Sequence, residues 1–195
     1  YWPLAVGADA AIGTNHGVIG GGAQFEDGAI VLNGTNAYVS FGSVLAVDGS
    51  FSASLWAYPA TNDGLMRLLG RFGSEGNKDY CLFLNCGNRI WAFLSDSGFA
   101  QDGRAFLKTT LLPASEAGEW THLAVTWDSE QGANGLLLFA DGVPLVTTNV
   151  QVSDVTSLHV GEADFTLGAY NLPQDPETPL QNAFQGAMCQ LILFR

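Results

Sequence analysis

The segment that most constrains the fold of this chain is residues 118–142, which read GEWTHLAVTWDSEQGANGLLLFADG. In its first arm, residues 120, 122, 124 and 126 face one way and residues 121, 123, 125 and 127 face the other, as a pleated strand requires. Both faces carry bulky side chains, which indicates a strand in the middle of a sheet. A helix would need a different apolar period.

The second arm of this segment, residues 136–140, runs into the dipeptide Asp141-Gly142. Both residue types tolerate the positive φ angles of a tight hairpin turn. Residues 143–148 then read as a return strand. The segment therefore predicts a three-stranded antiparallel meander.

Composition extends this prediction to the whole chain. The sequence has 195 residues, 24 of them glycine, and only 13% of its residues are charged. Abundant glycine without a long amphipathic helical pattern favours a turn-rich all-β fold. We therefore expect a single domain over residues 1–195, built as an antiparallel two-sheet β-sandwich. The longest apolar runs are strand-sized, so no membrane span is predicted.

Several motifs resemble those of a known family. The W-x-H-[LV]-A-x-x-[YW]-D strand followed by an apolar strand ending in D-G is similar to the laminin G-like, pentraxin-type jelly roll of the concanavalin A-like lectin/glucanase superfamily. Residues 1–4, 15–17, 32–39, 51–59, 165–168 and 184–186 resemble the other strands and loops of that family, in the same order. The resemblance covers nearly the whole chain. It implies a concanavalin A-like jelly roll and a lectin-like recognition module outside the cell.

Two classes of function are disfavoured by the residues themselves. The net charge is −12 with seven Lys and Arg, so a nucleic acid would be repelled. Glucanases of this fold carry an E-x-D-x-E type motif, because a retaining glycosidase needs two carboxylates about 5–5.5 Å apart. The nearest candidates here are EAD at residues 162–164 and DPE at 175–177. We therefore expect no enzymatic activity.

Histidines and cysteines give no catalytic or zinc pattern. His16, His122 and His159 lie in separate segments, and His122 is expected to be a hydrogen-bonded core residue. An extended chain from Cys81 to Cys86 places these two sulfurs beyond disulfide reach. A disulfide between Cys189 and another cysteine remains an alternative.

Sugar recognition needs aromatic faces together with amide, carboxylate or guanidinium groups. The chain offers these groups between residues 71 and 91 and at the start of a proline-rich loop. The candidate ligand-binding residues are Arg71, Asn77, Asp79, Tyr80, Trp91, Tyr170 and Asn171. The alternative is that they are ordinary loop residues and that Trp91 is a core aromatic. Trp56, Trp120 and Trp127 lie on framework strands and are expected to pack.

Calcium is the one cofactor that the resemblance brings in, because relatives often hold a structural or ligand-bridging ion. Ca²⁺ takes six to eight oxygen ligands. The candidates are Asp9, Asn15 and Asp63. The last strand reads AMCQ at residues 187–190, where relatives commonly show I-D-[ED], and this difference argues against an ion there. No cofactor is assigned, and the metal stays unknown.

We expect the partner to be a glycan or a protein surface, with the module appended to a larger chain or assembly on a cell, virion or extracellular surface. The alternative is an adhesion or structural domain of a filament, capsid or stalk, with no sugar ligand and with homo-oligomeric contacts. The mean hydropathy of +0.16 and the apolar end LILF at residues 191–194 favour that alternative. The sequence does not choose the ligand or the oligomeric state.

Overall fold

The computed structural model describes residues 1–43, 46–100, 105–151, 153, 155–169 and 182–195. Two antiparallel sheets pack face to face, and one cluster of buried apolar side chains lies between them. This arrangement confirms the predicted all-β sandwich.

Eight strands form one sheet and seven form the other. The order across the eight-stranded sheet is β1 (Val18–Gly20), β4 (Tyr38–Ser40), β14 (Phe165–Leu167), β6 (Met66–Phe72), β7 (Lys78–Asn85), β8 (Arg89–Gly98), β9 (Ala105–Thr110) and β13 (Thr147–Gln151). The order across the seven-stranded sheet is β12 (Val143–Pro144), β11 (Leu136–Ala140), β10 (Thr121–Trp127), β5 (Phe51–Pro59), β15 (Gln185–Phe194), β3 (Ala29–Asn33) and β2 (Gln24–Glu26).

The alternation read from the sequence sets the inner face of the seven-stranded sheet. Along β5 and β10, buried and half-buried residues alternate without a break. Leu123, Val125 and Trp127 point into the core, and β10 lies between β5 and β11. Its predicted position in the middle of a sheet is therefore confirmed.

The hairpin forms as predicted at its turn but not beyond it. Asp141 and Gly142 have φ angles of 49° and 78°, which suits a tight two-residue turn. The prediction of a single return strand over residues 143–148 is wrong. The short β12 ends at Pro144, and β13 then pairs with β9 in the other sheet. One more hydrogen bond to β11 follows, from the N–H of Leu145 to the carbonyl oxygen of Leu138 at 2.8 Å, before the chain crosses to the other sheet.

The last strand, β15, lies between β3 and β5, and so its backbone has a neighbour on both sides. Gly186 makes this possible, since a Cβ at that position would lie 2.0 Å from the carbonyl oxygen of Tyr58. Leu191 is fully buried, whereas Phe194 is 65% exposed at the end of the strand. Within the apolar segment 191–194, the side chain of Phe194 is therefore free to contact another protein chain.

All three cysteines are free thiols: Cys81 is buried, Cys86 is exposed and Cys189 is half-buried. The prediction that Cys81 and Cys86 do not pair is confirmed. Cys189, for which a partner was left open, also forms no disulfide.

We expect the free energy of unfolding to fall as the pH rises between about 9 and 12, because burial raises the pKa of the Cys81 thiol from 9.0 to about 12. Burial also raises the pKa of the Tyr80 hydroxyl. A pKa raised in the folded state gives stability that is complete below the unfolded pKa and is lost as the pH rises through the folded pKa. One such group costs at most about 1.4 kcal/mol per pH unit.

Urea unfolding across this alkaline range measures the effect. Cys81→Val should show a shallower fall than the parent, whereas Cys86→Ser, which removes an exposed thiol, should follow the parent. Equal falls for Cys81→Val and the parent would contradict the assignment to Cys81.

Candidate functional site

Three of the predicted ligand-binding residues lie inside the protein. Arg71, near the end of β6, and Asp79, near the start of β7, form an ion pair with Nε and Oδ2 2.9 Å apart, and both side chains are 1% exposed. Tyr80 has no exposed surface and its ring packs 4.9 Å from the ring of Phe51. In these positions, none of the three side chains presents a surface to a ligand.

The Arg71–Asp79 pair instead organises the loops around it. Arg71 donates through Nη1 to the carbonyl oxygen of Ser43 at 2.8 Å and through Nη2 to that of Gly161. Asp79 also contacts Nδ1 of His159 at 2.8 Å and accepts from the backbone N–H of Gly161. Four charge-assisted contacts therefore hold two distant loops to the end of the sheet. Because the pair is buried, its position does not allow direct contact with a ligand.

The remaining predicted residues have different surroundings. Asn77 is half-buried and accepts from the backbone N–H of Glu162 at 2.9 Å, so its amide also holds a loop. Trp91 lies on β8 and is half-buried. Tyr170 and Asn171 lie outside the described residues.

Trp91 belongs to an apolar layer on the outer surface of the eight-stranded sheet. Along β7, Leu82 and Leu84 point into the core, whereas Cys81 and Phe83 point outward into a second cluster. The same cluster contains Phe93 and Ala105, with Leu65, Phe72, Trp91, Ala100 and Leu107 packed against it. An antiparallel sheet commonly keeps one face polar. Here both faces are apolar: Cys81 and Ala105 on the outer face have no exposed surface, and Phe83 and Phe93 are each 6% exposed.

A row across this sheet joins a cation to aromatic rings. Arg67, Phe83 and Trp91 are register partners on β6, β7 and β8. The guanidinium carbon of Arg67 lies 4.8 Å from the ring centre of Phe83 and 4.9 Å from that of Phe72. Distances under about 6 Å place the cation in favourable contact with the ring faces. We call Arg67, Phe72, Phe83 and Trp91 the Trp91 face.

The opposite, seven-stranded sheet carries a second set of aromatic side chains on its outer surface. Trp56 and Tyr58 on β5 neighbour His122 and Trp120 at the start of β10. The Trp56 and His122 ring centres are 5.4 Å apart, and those of Tyr58 and Trp120 are 5.6 Å apart. Trp120 is 43% exposed. Spacings of this size are typical of favourable aromatic pairs.

This surface corrects two predictions from the sequence. Of the three framework tryptophans, Trp127 packs in the core at 2% exposure, whereas Trp56 is half-buried and Trp120 is exposed. His122 is not a core residue but lies half-buried beside Trp56. Period-two alternation placed Trp120 and His122 on one face correctly, and that face points to solvent.

The calcium candidates are engaged in contacts with other residues. Asp9 is exposed and pairs with Nδ1 of His16 at 3.0 Å, and Asp63 is exposed beside Thr61. The carbonyl oxygen of Asn15 accepts from Nε1 of Trp2 at 2.6 Å. Across the described parts of the chain, no group of three or more His, Cys, Asp or Glu side chains could hold a metal ion. With these contacts, the three candidates do not fit a calcium site.

The two carboxylates of the EAD segment at 162–164 differ in their surroundings. Glu162 is exposed, and Asp164 accepts from Oγ of Ser40 at 2.7 Å. Residues 175–177 lie outside the described residues. No helix among the described residues is long and apolar enough to cross a membrane.

Comparison with known proteins gives the family. A family model described as the concanavalin A-like lectin/glucanases superfamily matches residues 33–195. The chain belongs to this superfamily. No curated protein sequence matches the chain.

Solved structures agree with membership in the concanavalin A-like superfamily. Domain 4 of AbnA, a GH43 extracellular arabinanase from Geobacillus stearothermophilus in complex with arabinotriose, is 22% identical, with 97% of this chain and 87% of that chain covered and a TM-score of 0.62. The Ruminococcus gnavus IT-sialidase CBM40 bound to alpha2,3 sialyllactose is 13% identical, with 78% of each chain covered and a TM-score of 0.58. NanB sialidase from Streptococcus pneumoniae is 21% identical, with 85% of this chain but 25% of that chain covered and a TM-score of 0.63. At these identities the likeness shows a shared fold.

Proposed function

We propose that this chain is a non-catalytic carbohydrate-binding module that binds its ligand on the Trp91 face. The observation that carries this proposal is the half-buried Trp91 in the outer apolar layer of the eight-stranded sheet. Phe83 and Arg67, which follow it in register on β7 and β6, are 6% and 0% exposed, so they support Trp91 from within the layer and do not contact the ligand. Arg71, Asp79 and Tyr80 are buried and are not part of the proposed contact surface.

The chemistry of this face suits a saccharide. The C–H groups on one side of a sugar ring pack against an aromatic ring, and the hydroxyl groups at the ring edge accept and donate hydrogen bonds. Trp91 offers the apolar surface, and Thr109 on β9 is its register partner and adds a hydroxyl group. Polar groups beside an aromatic surface fix the orientation of a ligand in a shallow site.

The comparisons support this proposal at the level of the fold. One similar structure is an arabinanase domain in complex with arabinotriose, and another is a sialidase module bound to sialyllactose. A fold hosts many functions, so the assignment rests on the Trp91 face itself. We further propose that the module acts outside the cell as part of a larger protein, as in the sialidase of which this chain spans a quarter.

The proposed absence of catalysis rests on the carboxylates. The sequence has no E-x-D-x-E motif, and in the segment before β14 Asp164 is engaged by Ser40. A retaining or inverting glycosidase needs two carboxylates that flank one bond. Neither Glu162 nor Asp164 has such a partner on the Trp91 face.

An assembly role is the second candidate, and it has an observation of its own. Phe194 and Leu137 are 65% and 50% exposed, and both lie on the seven-stranded sheet. Exposed apolar side chains on one sheet suit contact with another chain. Size-exclusion chromatography with light scattering separates the two candidates: a stable oligomer without any glycan binding favours assembly.

Replacing Trp91 by alanine should weaken glycan binding by about 10- to 100-fold, which is typical of losing an aromatic anchor. Titration calorimetry against arabinotriose, sialyllactose and soluble neutral polysaccharides, with calcium and again with EDTA, measures the loss. Trp91→Phe keeps a ring and should retain most of the affinity.

The matched control is Val146→Ala, a change at a residue that is 70% exposed and outside the Trp91 face. An unchanged Kd for a folded Trp91→Ala variant would refute this site. Loss of binding in EDTA would instead establish a calcium requirement.

A further inference from the structure

We propose a second saccharide site on the opposite sheet, in a shallow groove between Trp56 and Trp120. The groove has a volume of about 280 Å³ and is also lined by Asp27, Cys189 and Gln190. This volume is close to the lower end of small-molecule pockets, roughly 300 Å³, so it suits one or two sugar rings. The site does not depend on the Trp91 face.

The two tryptophans that line this groove are each packed against a neighbouring ring. Trp56 contacts His122 with an interplanar angle of 53°, and Tyr58 contacts Trp120 with an angle of 51°. All four are anchored on β5 or at the start of β10, and β5 and β10 pair in full register. A tryptophan that is 43% exposed keeps a large apolar area in water unless a ligand covers it.

Polar groups stand at the edge of the groove, one in a two-residue hairpin turn and one at an irregularity of a strand. Asp27, in the turn between β2 and β3, has a φ of 49°, and Gln190 has a φ of 53°. Gln190 occupies an irregularity of β15, between Cys189 and Ile192, where the register with β5 shifts. Bulges of this kind re-aim side chains and occur often beside binding sites. Positive φ at non-glycine residues is uncommon and persists where the surroundings hold it.

The backbone around Gln190 is held from its other side. Its N–H donates to the carbonyl oxygen of Pro3 at 2.9 Å, and the next residue, Leu191, bridges to Trp2. The side chain of Gln190 is exposed. An amide that both donates and accepts, beside the carboxylate of Asp27, can pair with neighbouring hydroxyl groups of a sugar.

The charges of the groove select the class of saccharide. Asp27 is an acid, and none of the described residues that line the groove is Lys or Arg. The whole chain has a net charge of −12. A sialylated or uronic-acid chain would meet a carboxylate without a cation to pair with it. The groove therefore fits a neutral saccharide.

Cys189 supplies a local reporter for the test, because it lines the groove and is register partner of Trp56. Cys86 is exposed in the turn that joins β7 to β8 of the other sheet, and it serves as the internal control. The rate of alkylation by iodoacetamide, read by mass spectrometry, is compared with and without neutral arabino-, xylo- and gluco-oligosaccharides and with sialyllactose. Trp120→Ala, Trp91→Ala and Val143→Ala, whose side chain is 62% exposed, are compared with the parent.

We expect a neutral oligosaccharide to slow alkylation of Cys189 by about fivefold or more, without changing the rate at Cys86. Sialyllactose should not protect Cys189. Trp120→Ala should abolish the protection, Trp120→Tyr should retain most of it, and Val143→Ala should not alter it. Because Trp120 is exposed, its variants should fold, and circular dichroism checks this.

The outcomes separate the two sites. Protection that survives Trp91→Ala but not Trp120→Ala supports the groove even if the Trp91 face binds nothing. Glycan binding that depends on Trp91, with no protection of Cys189, refutes the groove and leaves the proposed function standing. No protection by any neutral oligosaccharide refutes the groove outright. A dimer that dissociates on Trp120→Ala would show that a second copy covers this surface, which also refutes the proposal.

Discussion

Replacing Asp79 by asparagine should destabilise the protein by about 3–5 kcal/mol, the range for breaking a buried ion pair by removing one partner. Asparagine keeps the size of the side chain but removes the charge opposite Arg71, whose side chain is 1% exposed. The contacts of Asp79 with His159 and with Gly161 weaken at the same time. Urea unfolding at neutral pH measures the change.

The matched control for this prediction is Asp9→Asn. Asp9 also contacts a basic side chain, that of His16, but Asp9 is 85% exposed and His16 is 57% exposed. Exposed pairs contribute about 0–1 kcal/mol, because water and salt screen them. Both variants are compared in EDTA, so that bound metal does not contribute. If Asp79→Asn changes stability no more than Asp9→Asn, the clamp at the end of the sheet is not needed for folding.

Replacing Phe165 by alanine should cost about 3–5 kcal/mol, as expected for deleting a fully buried phenylalanine. Phe165 has no exposed surface, and its ring lies 5.5 Å from that of Phe41 and 6.3 Å from that of Tyr80. It lies on the three-residue strand β14, which joins β4 to β6 in the middle of the sheet. A short strand has few other contacts with which to compensate for the cavity.

Thermal and urea unfolding measure this loss, and Phe99→Ala is its control. Phe99 is 43% exposed, so the same truncation there removes much less buried apolar area. The backbone hydrogen bonds between Phe165 and residues 41 and 42 remain in the variant. A loss below about 1 kcal/mol would mean that the core around β14 closes over the missing ring.

Two binding surfaces on opposite sheets would let one module hold two saccharide chains, or two parts of one polymer. Linked sites raise the overall affinity without any new contact, provided that both can be engaged together. The Trp56–Trp120 groove carries the carboxylate of Asp27, whereas Trp91 presents its ring beside the hydroxyl group of Thr109. We therefore expect the two surfaces to prefer different saccharides.

The sequence by itself determined the class of fold. Unbroken alternation in β5 and β10 and the Asp141-Gly142 turn are local features, and each predicts a strand or a turn without knowledge of the rest of the chain. The order of motifs was enough to indicate the concanavalin A-like superfamily. The local pattern also separated the two faces of β10 correctly.

Only the tertiary structure decided which face meets water and which polar groups are buried. Trp120 and Trp127 lie on opposite faces of the same segment, and a period of two does not say which face is the core when both carry bulk. The burial of Asp79 depends on Arg71 and on His159, which is 80 residues away. Contacts over such separations depend on how the sheets and loops pack, so the Arg71 clamp and the groove beside Trp120 could not be derived from local sequence.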